Sequence, residues 1–239
     1  LSPRAKDFSP SLESQQSTLV HLLIATRNAH KTAEIHAMLP AWEVTDLTTH
    51  PELAAPEETG ATFAENAAIK ALAASAHFAG LVLADDSGLE VDALGGAPGV
   101  WSARYAGIGA TDAANRARLL RELTSAGARG KQRTARFHCV MALAENGISL
   151  GTFEGTVEGV IVNEEKGAGG FGYDALFVPE GFCETFGQLS SETKNQLSHR
   201  ARALAKVMAF LATRDPGKQG VKNEEGNMKK QIDASRTHP

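Results

Sequence analysis

Two adjacent carboxylates, Asp85 and Asp86, followed by Ser87 and Gly88, close the apolar run Leu81-Val82-Leu83-Ala84. An α/β protein delivers acidic groups to the mouth of a cleft in this way, at the carboxyl end of a strand. Adjacent residues in an extended chain point to opposite sides, so the two carboxylates are expected to do different jobs. One would hold a metal or a water while the other supports the turn. An isolated copy reads first as a structural Asp-Ser-Gly turn, so any chemistry depends on what accompanies it.

Four other groups are candidates for that company. Thr26-Arg27-Asn28-Ala29-His30-Lys31 lies between a strand and a helix. Free N–H groups and the positive helix end favour an anion there. Lys31 adds a point charge, and Thr26 and Asn28 add donors. The alternative is a helix capped by Asn28 with Lys31 solvated. The loop lacks the Walker A pattern. Glu57 and Glu58 precede a helix, either as a solvated pair or as a carboxylate sharing a metal with Asp85 or Asp86. Hard oxygen ligands of this kind suit Mg²⁺. Glu65 is fully explained by a capping box with Thr62.

Gly167 to Gly172 spells G-x-G-x-x-G. A dinucleotide fingerprint needs a helix next, but Tyr173 to Val178 reads as a strand, which excludes the Rossmann reading. A flexible loop placing Phe171, Tyr173 and Asp174 around a planar ligand remains, beside a plain turn with core aromatics. Lys194 and His199 fall on different faces of any continuous helix. For both to touch one ligand with Arg200, the backbone must break between them, and Ser198 would then cap the later helix. The other histidines form no zinc pattern, and no G-x-S-x-G elbow occurs.

These groups need elements to hold them. Strands are expected at Val20–Ala25, Val44–Leu47, Leu81–Ala84, Arg136–Ala144, Ile148–Val162 and Ala175–Val178. Helices are expected at Lys31–Leu39, from Thr62 to about Phe78, Thr111–Leu123 and Ser198–Leu211. Asn146-Gly147 is a strong hairpin signal. So βαβ character comes first, an antiparallel insertion follows, and a helix closes the domain. Residues 1–17 and 213–239 are polar and breaker-rich and read as disordered tails around a domain at 18–212.

The totals agree. The 239 residues suffice for a proper core, and a net charge of −4 gives no bulk attraction to nucleic acid. No apolar run approaches a membrane span. Cys139 and Cys183 form no CxxC pair, which fits a reducing, cytoplasmic setting.

Taken in order, the segments resemble the inosine triphosphate pyrophosphatase-like family, in its bacterial-type XTP/dITP diphosphatase form. The matching pieces are Thr26–Lys31, Glu57–Ala67, Ala84–Leu89, Leu94–Val100 leading to Ser102–Tyr105, Gly169–Asp174 and Ser198–Arg200. The resemblance implies an α/β fold with an elongated central mixed sheet flanked by helices, and two lobes around a nucleotide cleft. It implies Mg²⁺-dependent hydrolysis of nonstandard purine nucleoside triphosphates to monophosphate and pyrophosphate, by a homodimer. Asp86 would accept the proton and bind Mg²⁺, with Glu57 as second ligand. The alternative is that Asp86 positions a metal-activated water, with Asp85 or Glu65 assisting, because a cation lowers the pKa of the carboxylate that holds it. Thr26, Arg27, Asn28, Ala29, His30 and Lys31 would hold the triphosphate, and Ser87 would touch the substrate. Phe171, Gly172, Tyr173, Asp174, Lys194, His199 and Arg200 would bind base, sugar and phosphate. Arg200 or loop N–H groups would meet the C6 oxygen that hypoxanthine and xanthine carry and adenine lacks. Arg27 and His30 fill positions that are often small or polar in the family.

Overall fold

A computed structural model describes residues 20–214. The two expected tails lie outside these residues, except that Thr213 and Arg214 continue the last helix. The strands are β1 (Val20–Ile24), β2 (Trp42–Asp46), β3 (Leu81–Val91), β4 (Thr134–Glu145), β5 (Ile148–Ile161) and β6 (Phe177–Pro179). The helices are α1 (Ala29–Met38), α2 (Phe63–Ser75), α3 (Asp112–Ser125), α4 (Ser191–Leu197) and α5 (His199–Arg214). None of the described helices is long and apolar enough to cross a membrane.

One mixed sheet runs β2-β1-β3-β4-β5-β6. β1 is parallel to both neighbours, and the later pairs are antiparallel. The chain leaves β1 through α1, packed on one face with Leu22, Ile24 and Leu83. It returns to β3 through α2, packed on the other face with Leu23, Val82 and Ala84. That reversal makes the carboxyl end of β1 a switch point, where α/β sheets open a crevice. A third apolar cluster fills the antiparallel end around Leu89, Leu119, Phe137, Leu176 and Phe177.

The length of β3 departs from expectation. β1 pairs with it only as far as Leu83, where the Ala25 N–H donates to the Leu83 carbonyl at 2.7 Å. β3 then continues to Val91 against β4, with Asp85 opposite Met141 and Asp86 opposite Val140. Asp85-Asp86-Ser87-Gly88 is therefore strand interior, not a turn. Two carboxylates and a glycine have poor strand propensity, but the β4 ladder and nearby cations outweigh it. Beyond Leu83 the β1-side edge of β3 is uncovered by any strand, and the crevice opens there.

The turns follow the sequence more closely. Asn146 and Gly147 have φ of 51° and 74°, as a type I′ hairpin requires. The Gly-rich loop leads into a strand, β6, which starts two residues later than expected. Gly155 lets α5 cross β5 at close range: a Cβ there would lie 2.1 Å from the His199 carbonyl oxygen.

Candidate active site

The crevice beside β3 encloses about 340 Å³. Behind the residues that line it lies Asp85, which is fully buried and does not line the cavity itself. Lys31 Nζ lies 2.9 Å from Asp85 Oδ1. Arg200 donates to Asp85 Oδ2 from Nη2 at 2.9 Å and from Nε at 3.2 Å. Burial pushes this carboxyl up, but Lys31, then Arg200 and Lys70, hold it far below the usual carboxylate range. Asp85 is thus a permanent anion that seats two cations.

Asp86 faces the other way, toward α2. Its Oδ1 accepts from Lys70 Nζ at 3.1 Å, and the same ammonium donates to Glu58 Oε1 at 2.9 Å. Asp86 Oδ2 is buried without a hydrogen-bond partner. Burial raises the Asp86 pKa, and the Glu58 charge adds to that rise against Lys70 and Lys31. The two neighbours therefore carry different electrostatic characters, as their opposite directions in the strand led us to expect.

Lys70 and Glu34 escaped the reading of the sequence. Lys70 lies seven, four, three and four residues from Phe63, Asn66, Ala67 and Ala74, all buried. A lysine on the buried stripe of an alanine-rich helix is the signal that marked it. Glu34, on α1, accepts from Lys194 Nζ at 2.6 Å and from Arg200 Nη1. Burial opposes its charge, but Arg200 and Lys194 hold its pKa down. Its only sequence signal is the three-residue spacing from Lys31, which is weak.

The far wall comes from the Gly-rich loop and the α4–α5 junction. Ser198 is extended (φ −65°, ψ 160°), breaks the two helices, and its Oγ accepts from the Ala201 N–H at 3.2 Å. That break brings Lys194 and Arg200 to the same anion, Glu34. Lys194 also pairs with Asp174 Oδ2 at 2.5 Å, and that oxygen accepts from the Phe171 N–H at 2.8 Å. The Gly172 N–H donates to Asp112 Oδ2 at 2.6 Å, and the Tyr173 hydroxyl to the Ser102 carbonyl at 2.9 Å. The loop is thus tied down along its length. His199 stacks on Phe137 (4.8 Å, 10°), and its Nδ1 has no partner. Burial, then Arg200 and Lys194, push its pKa well down, so the ring is neutral.

Of the expected site residues, Thr26, Arg27, Asn28, Lys31, Asp86, Ser87, Phe171, Gly172, Tyr173, Asp174, Lys194, His199 and Arg200 line one cavity. Ala29, His30 and Glu57 do not, and all three are exposed. The acidic pair is therefore shifted by one from the expectation: Glu58 faces the cleft. Adjacent residues of an extended loop point apart, and Lys70 captures the second. Arg27 donates to the Leu47 and Leu53 carbonyls at 3.0 and 2.9 Å, fastening the next loop. Asn28 Oδ1 caps α1, accepting from the His30 and Lys31 N–H groups at 3.0 and 3.3 Å. Glu65 is taken up by the expected capping box with Thr62.

The order and setting of these side chains can be compared with known proteins. A model described as the Ham1 family matches residues 22–210. The chain belongs to the Ham1 family. A dITP/XTP pyrophosphatase of Desulforamulus reducens is 50% identical over 192 residues, covering 80% of this chain and 94% of that protein. One from Geobacillus kaustophilus is 50% identical over 188 residues, covering 78% and 91%. Among solved structures, a HAM1 protein from Coxiella burnetii superposes with TM-score 0.73 at 40% identity, covering 82% of this chain and all of the other (100%). A nucleoside-triphosphatase, or dITP/XTP pyrophosphatase, from Mycobacterium abscessus gives 0.64 at 42%, covering 79% and 98%. This Ham1 chain thus shares the α/β architecture as well as the sequence of that family.

Proposed function

We propose that this cleft hydrolyses nonstandard purine nucleoside triphosphates (ITP, dITP and XTP) to the monophosphate and pyrophosphate, removing them from the nucleotide pool. The observation that carries the reading is Asp86: a buried carboxylate with one free oxygen, sharing Lys70 with Glu58, on the wall of a cleft that Lys31 enters. The dITP/XTP pyrophosphatases at 50% identity support the substrate class.

Charge balance supports a metal. Lys31, Lys70, Lys194 and Arg200 are each already paired with carboxylates of the chain. A triphosphate carries about four negative charges, which the paired lysines neutralise only in part. The free oxygen of Asp86 and the nearby carboxylate of Glu58 are hard ligands suited to Mg²⁺, which typically uses one or two carboxylates plus substrate phosphates. Bound there, Mg²⁺ would offset phosphate charge.

The chain's own groups do the rest. Asp86 takes a proton from water as the water oxygen attacks the α-phosphorus. The bond from that phosphorus to its bridging oxygen breaks, and pyrophosphate leaves with the electron pair. Burial by itself raises the Asp86 pKa and favours proton uptake, whereas Mg²⁺ on the same carboxylate would lower it, so in the metal-loaded site Asp86 serves chiefly to orient the water whose proton it receives. Lys31 and Lys70 stabilise the charge that develops on the phosphates. Phe171 offers its face to the base. Arg200 spends Nε and Nη2 on Asp85 and Ser87 and one Nη1 hydrogen on Glu34, leaving one N–H for the C6 oxygen.

The same proposal takes the enzyme to be a cytoplasmic homodimer. The free thiols of Cys139 and Cys183 support a reducing compartment, and the exposed Trp101 and Ile108 support an interface. The deciding experiment incubates the protein with ITP, XTP, dITP, GTP and ATP plus Mg²⁺ and resolves pyrophosphate from orthophosphate. Pyrophosphate from the first three is expected. Orthophosphate alone would sink the assignment.

A further inference from the structure

His30 and Phe171 stand far apart in sequence, yet their rings stack with centroids 5.2 Å apart and planes 11° from parallel. His30 is the second residue of α1, the helix that carries Lys31 toward the phosphate side. Phe171 sits on the Gly-rich loop. Phe171 lines the cleft and His30 does not, so the imidazole braces the ring from outside the cavity. The loop's main chain is already fixed, through the Phe171 N–H to Asp174 and the Gly172 N–H to Asp112. Those bonds set the backbone, whereas the half-buried ring can still turn about its side-chain torsions.

The first-loop motif suggested that His30 touches phosphate. The geometry points elsewhere. Its backbone N–H is spent on Asn28 Oδ1 at 3.0 Å, and its ring is spent on Phe171. We propose that His30 is a positioning residue for the base. It holds Phe171 in the orientation on which a purine stacks, and it ties that ring to the helix bearing Lys31. Lys194 Nζ and Arg200 Cζ, 4.9 and 5.7 Å from the centroid of the Phe171 ring, complete its surroundings. A ring held in place before binding stacks a base without first losing its own freedom. The inference rests on reading the cleft as a purine nucleotide site.

The test compares the wild type with His30→Ala and His30→Phe, using ITP and XTP as substrates and inorganic tripolyphosphate as a base-free inhibitor. His30→Ala should raise KM for both nucleotides roughly two- to tenfold, the range an aromatic pair supports. Its kcat should hold within about twofold, and the tripolyphosphate inhibition constant should not move. His30→Phe should restore KM. In a Phe171→Ala background, His30→Ala should add nothing further. An unchanged KM in His30→Ala would overturn the inference. So would equal weakening of tripolyphosphate, which would make His30 a phosphate contact, or a His30→Phe variant no better than alanine. A wild-type protein that releases no pyrophosphate from ITP would instead sink the reading of the cleft.

Discussion

Asp85 and Asp86 are consecutive in β3, and their surroundings drive them in opposite directions. Asp85 is clamped between Lys31 and Arg200 and stays charged far below the usual range. Asp86 shares Lys70 with Glu58 and is pushed up by burial. The alternation of the strand separates a carboxylate locked between two cations from one that keeps a free oxygen. Replacing Asp86 with Asn should therefore cut kcat by about 10²–10⁴-fold with little loss of stability. Replacing Asp85 with Asn should cost about 3–5 kcal/mol of folding free energy, because it leaves buried cations without their anion. Pyrophosphate release and denaturant unfolding, measured on both variants, check the split. Equal stability losses would refute it.

Glu58, rather than Glu57, is the carboxylate of the acidic pair that reaches the cleft. If Mg²⁺ uses it, Glu58→Gln should raise the Mg²⁺ concentration for half-maximal turnover roughly tenfold or more. Glu57→Gln should leave it unchanged. A Mg²⁺ titration of pyrophosphate release distinguishes the two. A larger shift for Glu57 would restore the register expected from the sequence.

Gly155 lets the start of α5, with His199 and Arg200, lie close against β5. A Cβ there would meet the His199 carbonyl oxygen at 2.1 Å and the Ala203 nitrogen at 2.5 Å. Both are backbone atoms, so α5 must move. Gly155→Ala should destabilise by about 1–3 kcal/mol and also lower kcat/KM for ITP, because His199 and Arg200 move with the helix. A variant with a lowered Tm but unchanged kcat/KM would show that the helix start keeps its place.

His199 is buried, neutral and stacked on Phe137. Its folded pKa lies well below the unfolded value of about 6.5. The unfolded chain therefore binds the proton first as pH falls. The stability linked to this ring is fully present above about pH 6.5 and is lost as pH drops toward the folded pKa, by up to about 1.4 kcal/mol per pH unit. His199→Phe should remove that slope. Unfolding free energies of both proteins between about pH 5 and 8 give the comparison, and parallel curves would rule the linkage out.

The sequence by itself carried the βαβ start, the Asn146-Gly147 hairpin, the Thr62–Glu65 capping box and the break at Ser198. Each depends on a few neighbouring residues whose local geometry and hydrogen bonds are self-contained. The ordered motifs also named most of the cleft, because Lys31, Asp86, Phe171, Lys194 and Arg200 are chemically distinctive. The tertiary structure decided the rest. β3 runs through Asp85 to Gly88 because β4 supplies its ladder. Glu58 enters the cleft in place of Glu57 because Lys70, on another element, captures it. Glu34 matters because two cations more than 150 residues away converge on it, at separations of 160 and 166. Burial and long-range charge act between elements. No local pattern encodes which lysine will meet which carboxylate once the sheet has formed.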